Sequence, residues 1–209
     1  MKKLSVIVLL AVMFSGSIYA QKSIIGDKSV SKKFARNGLS KSIILSRAET
    51  WFLNEDNANK NKVDTIDIEK GLIKINGETK VLYKNIGKEL YPKRSAMAEV
   101  LEARFGHIME INVNEEDYDI MYTVIDMKEE MYKKQDVFFE CVNFKEINEE
   151  DLSEYNKAMD KLLKANLVFK KRREVFAENS RSQFEEVSSF LLNEGQVNIF
   201  SLNEVIISE

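Results

Sequence analysis

Cysteine and histidine, the side chains most often used in zinc sites and nucleophilic catalysis, each occur only once in this 209-residue sequence. Because Cys141 has no second cysteine to pair with, no disulfide can form within the chain, and the fold must be stabilised by packing. A zinc site needs three or four ligands at restrained spacing, and the sequence lacks them. Any Ser–His–Asp or Cys–His mechanism would have to use His107. We expect His107 to be a core or half-exposed histidine, with a general base as the alternative.

Motifs that bind nucleotides or nucleic acids are also missing. Neither GxGxxG nor GxxxxGK[ST] occurs, so no glycine-rich phosphate loop is predicted. The formal net charge is −3, whereas nucleic-acid binding rests largely on cations placed against phosphates. Apolar residues flank the single thiol, which predicts that Cys141 is buried; a disulfide between two chains or a redox role is the alternative. The missing phosphate loops and the negative net charge together predict no nucleic-acid partner and no cofactor.

Long hydrophobic runs are missing except at the N-terminus. Lys2 and Lys3 precede an apolar run at residues 4–14, and small residues follow it. This order is typical of a signal peptide, and the run is shorter than the roughly 20 residues that a membrane-spanning helix needs. We predict a signal peptide at residues 1–20, cleaved after Ala20, and export to the periplasm or the extracellular space. Since no cysteine lies near the cleavage site, no stable membrane anchor is expected afterwards. Cleavage deletes two lysines and no acid, which changes the net charge from −3 to −5.

The remaining sequence is interpreted as three parts: a leader at residues 21–38, an α+β domain at 39–147, and a C-terminal helical region with a short tail at 148–209. The leader is rich in Lys, Ser and Gly and has room for one short strand. Ser40 is a suitable N-cap for an amphipathic helix that ends near Asn54. The apolar residues of this helix recur at helical spacing, namely Ile44, Ala48, Trp51 and Phe52.

Alternating apolar residues then predict an antiparallel sheet. Three strands of a meander are expected within residues 63–83, with turns at Lys70-Gly71 and at Asn76-Gly77, a pair that favours type I′ turns. A long strand should follow, and residues 118–127 should return beside it. Residues 137–144 are expected to be a further strand or a link to the C-terminal helices. The predicted buried face of the long strand consists of Phe105, His107, Met109, Ile111 and Val113.

The C-terminal region is predicted to be helical. We expect one helix starting at Asp151 or Ser153 and a second over about residues 181–193, with one uninterrupted helix as the alternative. Gly195 is expected to end the second helix, and residues 197–207 to add an edge strand. The start of the second helix is indicated by a capping-box pair, Ser182 and Glu185.

The order of these elements, together with three short segments, carries a resemblance. The segments are Gly38-Leu39-Ser40-Lys41, Ala48-Glu49-Thr50-Trp51 and Asp67-Ile68-Glu69-Lys70-Gly71-Leu72-Ile73. On this basis residues 37–127 resemble an exported bacterial domain-of-unknown-function family with a TBP-like fold. The resemblance implies an α+β fold in which a curved antiparallel sheet packs against an amphipathic helix, followed by a helical region. It implies no activity, because a shared fold does not fix function.

Clusters of charge are the remaining candidate sites. Two acidic clusters offer calcium ligands but lack the EF-hand spacing, so we interpret them as polar turns, with a weak cation or partner site as the alternative for the second. We predict no catalytic, cofactor-binding or metal-binding residue. The basic run at residues 170–173 is interpreted as a solvated helix surface, with contact to anionic lipid head groups or an acidic partner as the alternative. The acidic clusters are Asn54, Glu55, Asp56 and Asn57, and Glu115, Glu116, Asp117 and Asp119; the basic run is Lys170, Lys171, Arg172 and Arg173.

The function expected from these features is a non-enzymatic binding or interaction module of the bacterial cell envelope. Its partner would be an unknown protein or envelope ligand, bound by the uncovered face of the sheet or by the C-terminal helices. Two alternatives stay open: a hydrolase that cleaves envelope polymers with carboxylates alone, and an oligomeric structural protein that uses the C-terminal helices.

Overall fold

The computed structural model of the protein describes residues 23–53, 61–128 and 135–208. The predicted signal peptide and the first acidic cluster lie outside these residues. Within them the chain forms six strands and five helices. The strands are β1 (Ile24–Ile25), β2 (Ser29–Ala35), β3 (Asn61–Asp67), β4 (Leu72–Lys84), β5 (Val100–Val113) and β6 (Asp117–Met127). The helices are α1 (Lys41–Leu53), α2 (Ile86–Leu90), α3 (Gln135–Glu140), α4 (Glu149–Ala165) and α5 (Lys170–Ile207).

The six strands form one curved antiparallel sheet in the order β1-β2-β6-β5-β4-β3. One face of each central strand is apolar and buried, and helices α1 and α5 pack on this side. The predicted α+β class, with an antiparallel sheet against helices, is confirmed. The predicted buried face of β5 is confirmed as well, since all five of its residues are buried there: Phe105, His107, Met109, Ile111 and Val113.

The segment expected to be a leader contributes two strands. β2 pairs with β6 along its whole length, from Ser29 opposite Thr123 to Ala35 opposite Asp117. Its inward positions include Lys32, whose ammonium group lies 4.2 Å from the ring centroid of Phe200. Long lysine side chains can bury their aliphatic stems while the charged end stays near water, so a lysine-rich sequence can still form a half-buried strand.

The predicted turn at Asn76-Gly77 is wrong. β4 runs through both residues without a break, and the chain reverses only once in this region, at Gly71, whose φ is +72°. β4 pairs with β5 continuously from Leu72 opposite Asn112 to Lys84 opposite Val100, and with β3 on its other edge. Backbone hydrogen bonds on both edges hold the chain extended, which overrides the local preference for a turn.

Helix α5 continues through Gly195 to Ile207, so the predicted helix end and the predicted edge strand at 197–207 are both wrong. A Cβ atom built on Gly195 would lie 2.6 Å from Cδ1 of Tyr122 and 2.9 Å from Cγ1 of Val30. The glycine therefore serves close packing of helix on sheet rather than helix termination. Ser182 and Glu185 lie inside this helix, so their capping-box spacing does not mark a helix start.

The starts of α1 and α4 follow local capping. Ser40 accepts a hydrogen bond from the Ile43 amide, which confirms it as the cap of α1. α4 begins at Glu149, earlier than predicted, because the side chain of Asn148 accepts a hydrogen bond from the Glu150 amide. Residues 137–144 form part of α3 and the link that follows. None of the helices in the described ranges combines the length and apolar content needed to cross a bilayer.

Candidate functional site

His107 lies in the core beneath the helices. It is 3% exposed, and its Nδ1 lies 3.1 Å from Oγ1 of Thr79, which in turn lies 3.1 Å from the hydroxyl of Tyr122. Burial lowers the pKa of His107 to about 4 and raises the pKa of Tyr122. Both groups are therefore neutral near pH 7, and the three side chains form a hydrogen-bonded polar cluster inside the core.

Cys141 is fully buried, as predicted. Burial raises the pKa of its thiol to about 12, so the thiolate that would act as nucleophile or metal ligand is not formed near neutral pH.

The acidic turn between β5 and β6 is held by the chain's own groups. The amide of Asn114 donates to the Asp117 carbonyl, and its side chain donates to the Asp117 carboxylate at 2.9 Å. Arg36 donates to the carbonyl oxygens of Asn114 and Glu115. The bond from Asn114, followed by that from Lys33, lowers the pKa of Asp117. No group of three metal-ligating side chains occurs in the described part of the chain. The cluster therefore acts as a hydrogen-bonded turn.

The sheet face that points away from the helices carries paired charges. Lys74 pairs with Glu110 directly across β4 and β5, and Lys80 pairs with Glu102, its diagonal neighbour on the same two strands. The hydrogen bond from Lys80 is the main cause of a lowered pKa of Glu102, whereas a general acid for glycoside hydrolysis needs a raised pKa. Because these charges satisfy one another, the open face offers little unbalanced charge to a partner.

The four cations of the basic run 170–173 differ in their contacts. Arg173 donates to Oδ1 of Asp160 at 2.6 Å and to the Val168 carbonyl, which ties α5 to the end of α4. The guanidinium carbon of Arg172 lies 4.3 Å from the ring centroid of Tyr91. Lys171 forms no ion pair with any residue that the structure describes. The run is therefore not uniformly solvated, because Arg173 ties α5 to α4 and Arg172 contacts Tyr91.

That connection is the feature that sequence reasoning missed. Leu167 is 88% exposed and Phe169 is 76% exposed, although Val168 between them is buried. We define the tip as residues 164–171, which contain three lysines and no acid. The sequence signal was present but weak: an apolar triplet follows Asn166 directly, where a helix commonly ends in glycine.

The backbone of the tip forces Leu167 into an unfavourable conformation. The Leu167 amide donates to the Lys164 carbonyl and the Val168 amide donates to the Leu163 carbonyl, which is the hydrogen-bond pattern of a Schellman motif. In this motif the residue after the cap adopts the left-handed conformation, and the φ of Leu167 is +57°. Glycine is the usual residue at this position because a side chain there is strained. Leu167 therefore combines a strained backbone position with an exposed side chain.

A shallow groove adjoins the tip between α4 and the first turns of α5. Its volume is about 620 Å³, and its lining includes Asn156, Phe176 and the paired Asp160 and Arg173. Its other charged lining residues include Glu149, which pairs with Arg181. Since several of the groove's charges are internally paired, the tip is the more distinctive surface.

Comparisons with known proteins bear on the fold. No protein-family model and no curated protein matches the sequence. One similar solved structure is a DUF4468 family protein from Bacteroides ovatus, with 17% identity and a TM-score of 0.39; the match covers 56% of this chain and 64% of that chain, less than two thirds of its length. Another is a TBP-like protein from Parabacteroides distasonis, with 12% identity and a TM-score of 0.46 over 87% and 94% of the two chains. The names of these two structures contain the two parts of the predicted resemblance, a domain-of-unknown-function family and a TBP-like fold. Neither name states an activity, a ligand or a partner.

Proposed function

We propose that this chain is an exported, non-enzymatic binding module of the bacterial cell envelope, and that the tip is its contact surface. The observation that carries the proposal is the exposure of Leu167 and Phe169 beside free lysines. Large apolar side chains next to one another are normally buried, and where they are exposed with a polar rim they mark a contact site.

The distribution of side chains in the core supports binding rather than catalysis. His107 and Cys141 are buried in their neutral forms. On the open sheet face the carboxylates face lysines, which favours their charged form. The tip, by contrast, has what recognition requires: apolar anchors and unpaired charge on a rigid helical support.

The export part of the proposal rests on the N-terminal sequence, where Lys2 and Lys3 precede the short apolar run. Fractionation of producing cells checks it. We expect the protein in the periplasm or the medium, with an intact mass that corresponds to cleavage after Ala20. Full-length protein in the cytoplasm would contradict export.

The binding part is tested with isolated cell envelopes from the producing organism. We expect the purified protein to sediment with the envelopes, and the variant Phe169→Ser to lose most of this binding. Serine at this position can cap α5, whose N-cap Phe169 makes no side-chain cap bond, so the variant should fold at least as well as the parent.

The matched control is Leu53→Ser, which removes a side chain that is 63% exposed at the end of α1. This variant should bind like the parent. Equal binding by Phe169→Ser and the parent would show that the tip is not the contact surface.

A further inference from the structure

We infer that the tip docks reversibly onto an anionic lipid surface, with Leu167 and Phe169 entering the head-group region and the surrounding cations facing the lipid charges. This inference rests on the proposed function and supplies the class of partner that the tip binds.

The tip exposes its two large apolar side chains to solvent. Leu167 and Phe169 are the two most exposed large apolar residues in the described part of the chain. They lie within one short connection, between the C-terminus of α4 and the N-terminus of α5, and Val168 anchors this connection in the protein. Two exposed side chains offer less area than a stable protein interface, which buries roughly 800 Å² on each partner. They suit shallow entry into a lipid interface, where apolar side chains and basic residues act together.

The charged residues within the tip itself are all basic. The tip carries Lys164, Lys170 and Lys171 and no acid, on a chain whose formal net charge is −3. Lys164 and Lys171 have no ion-pair partner among the described residues, and Lys170 has only a long contact of 3.7 Å with Glu174. Clusters of basic residues beside apolar anchors are attracted to anionic lipid head groups.

A second segment extends the same positive surface. The guanidinium groups of Arg94 and Arg172 both lie against the ring of Tyr91, at 5.2 and 4.3 Å from its centroid. Lys93 precedes Arg94 directly. Two like charges gathered at one ring repel each other, and an anion between or beside them would relieve that repulsion. The basic surface therefore spans the start of α5 and the segment that follows α2.

The inference is tested by sedimentation with lipid vesicles. One vesicle is phosphatidylcholine alone, and the other is equal parts of phosphatidylcholine and phosphatidylglycerol. We expect binding to the anionic vesicles that weakens as salt is added, and much weaker binding to phosphatidylcholine. The vesicle assays use the chain from Gln21, which the proposed cleavage leaves, because the apolar run at residues 4–14 would itself bind lipid and mask the contribution of the tip.

Two variants separate the apolar and the electrostatic contributions. Leu167→Gly removes an inserted side chain at a backbone position that glycine prefers, so we expect a loss of roughly 10-fold in vesicle affinity without a loss of stability, and urea denaturation of the variant checks the stability. The double variant Lys170→Gln/Lys171→Gln should lose a similar factor on anionic vesicles and little on neutral ones. The control Lys28→Gln/Lys145→Gln removes the same charge from lysines that are paired with Glu140 and Asp27, and it should bind like the parent.

Three results would overturn the inference. The first is equal binding of the parent protein to anionic and neutral vesicles. The second is unchanged vesicle affinity of Leu167→Gly. The third is binding to envelopes without binding to anionic vesicles, which would indicate a protein or polymer partner and would leave the proposed binding function of the tip intact.

Discussion

The middle and the start of helix α5 differ in how well their residues suit the local backbone and packing. In the middle, Gly195 lies directly on Tyr122 and Val30, and the absence of a side chain allows the helix to contact the sheet. At the start, the first turn contains four cations and no acid, although a helix N-terminus favours negative charge. Just before it, Leu167 occupies a left-handed position where glycine would be favourable. Glycine is present where packing requires it and absent where the backbone alone would favour it.

The comparison separates residues that stabilise the fold from residues that cost stability. Cations at a helix start reduce stability by about 0.3–1 kcal/mol, and a leucine with positive φ reduces it by about 1–2 kcal/mol. Local departures from favourable choices of this kind are concentrated at functional sites. This contrast, rather than exposure alone, distinguishes the tip from other exposed apolar residues such as Ile24, which lies on an edge strand.

The largest expected effect breaks the packing in the middle of α5. In Gly195→Leu, the added side chain must displace the Tyr122 ring, which is fully buried, and we expect a loss of about 3 kcal/mol in the free energy of unfolding. Urea denaturation measures it. The control Asn193→Leu adds the same side chain at an exposed position of the same helix and should change stability by less than about 0.5 kcal/mol. Equal stability of the two variants would show that α5 does not depend on close contact at residue 195.

The core beneath α5 should also respond to acid. The pKa of His107 is lowered from 6.5 to about 4 by burial, so the unfolded state binds the proton more readily than the folded state. Stability from this group is therefore complete above pH 6.5 and is lost as the pH falls toward 4. Between pH 7 and pH 5 we expect a loss of about 2 kcal/mol.

Urea denaturation at both pH values measures this loss, and His107→Asn provides the comparison. Asparagine can keep a hydrogen bond to Thr79 without titrating, so this variant should be less stable at pH 7 but should lose little more at pH 5. An equally steep loss in the variant between pH 7 and pH 5 would show that His107 is not its cause. The carboxylates of Asp117 and Glu102, whose pKa values are lowered, lose their stabilising effect only below this pH range.

Much of the fold was predictable because apolar alternation and burial agree. The period of two along β5 and β6 fixed which side chains face the helices, and Ser40 fixed the start of α1. The errors arose where a residue has two uses. Gly77 favours a turn in isolation but lies in a strand paired on both edges, and Gly195 resembles a helix stop but permits close packing. Local sequence does not specify which use tertiary contacts select.

The candidate site was less predictable than the fold. The basic run at 170–173 was visible in the sequence, but its division into Arg173, which binds Asp160, and the free Lys171 depends on how α4 and α5 meet. The exposure of Leu167 and Phe169 was not predictable from periodicity, because Val168 between them is buried. Three consecutive apolar residues look alike in sequence, and only the turn geometry separates them.

The smallest expected effect sharpens the comparison by adding a glycine at the tip. Leu167→Gly relieves a left-handed backbone position within a Schellman motif, and part of the gain is offset by the larger entropy of glycine in the unfolded chain. We expect a net stabilisation of up to about 1 kcal/mol, measured as a higher urea midpoint with an unchanged slope. The control is Asn37→Gly, at the other described non-glycine residue with positive φ, +50°. Asparagine tolerates this conformation better than leucine, so its gain should be smaller. If Leu167→Gly instead destabilised the fold, the leucine side chain would be holding the connection together, and its exposure would no longer imply a cost borne for binding.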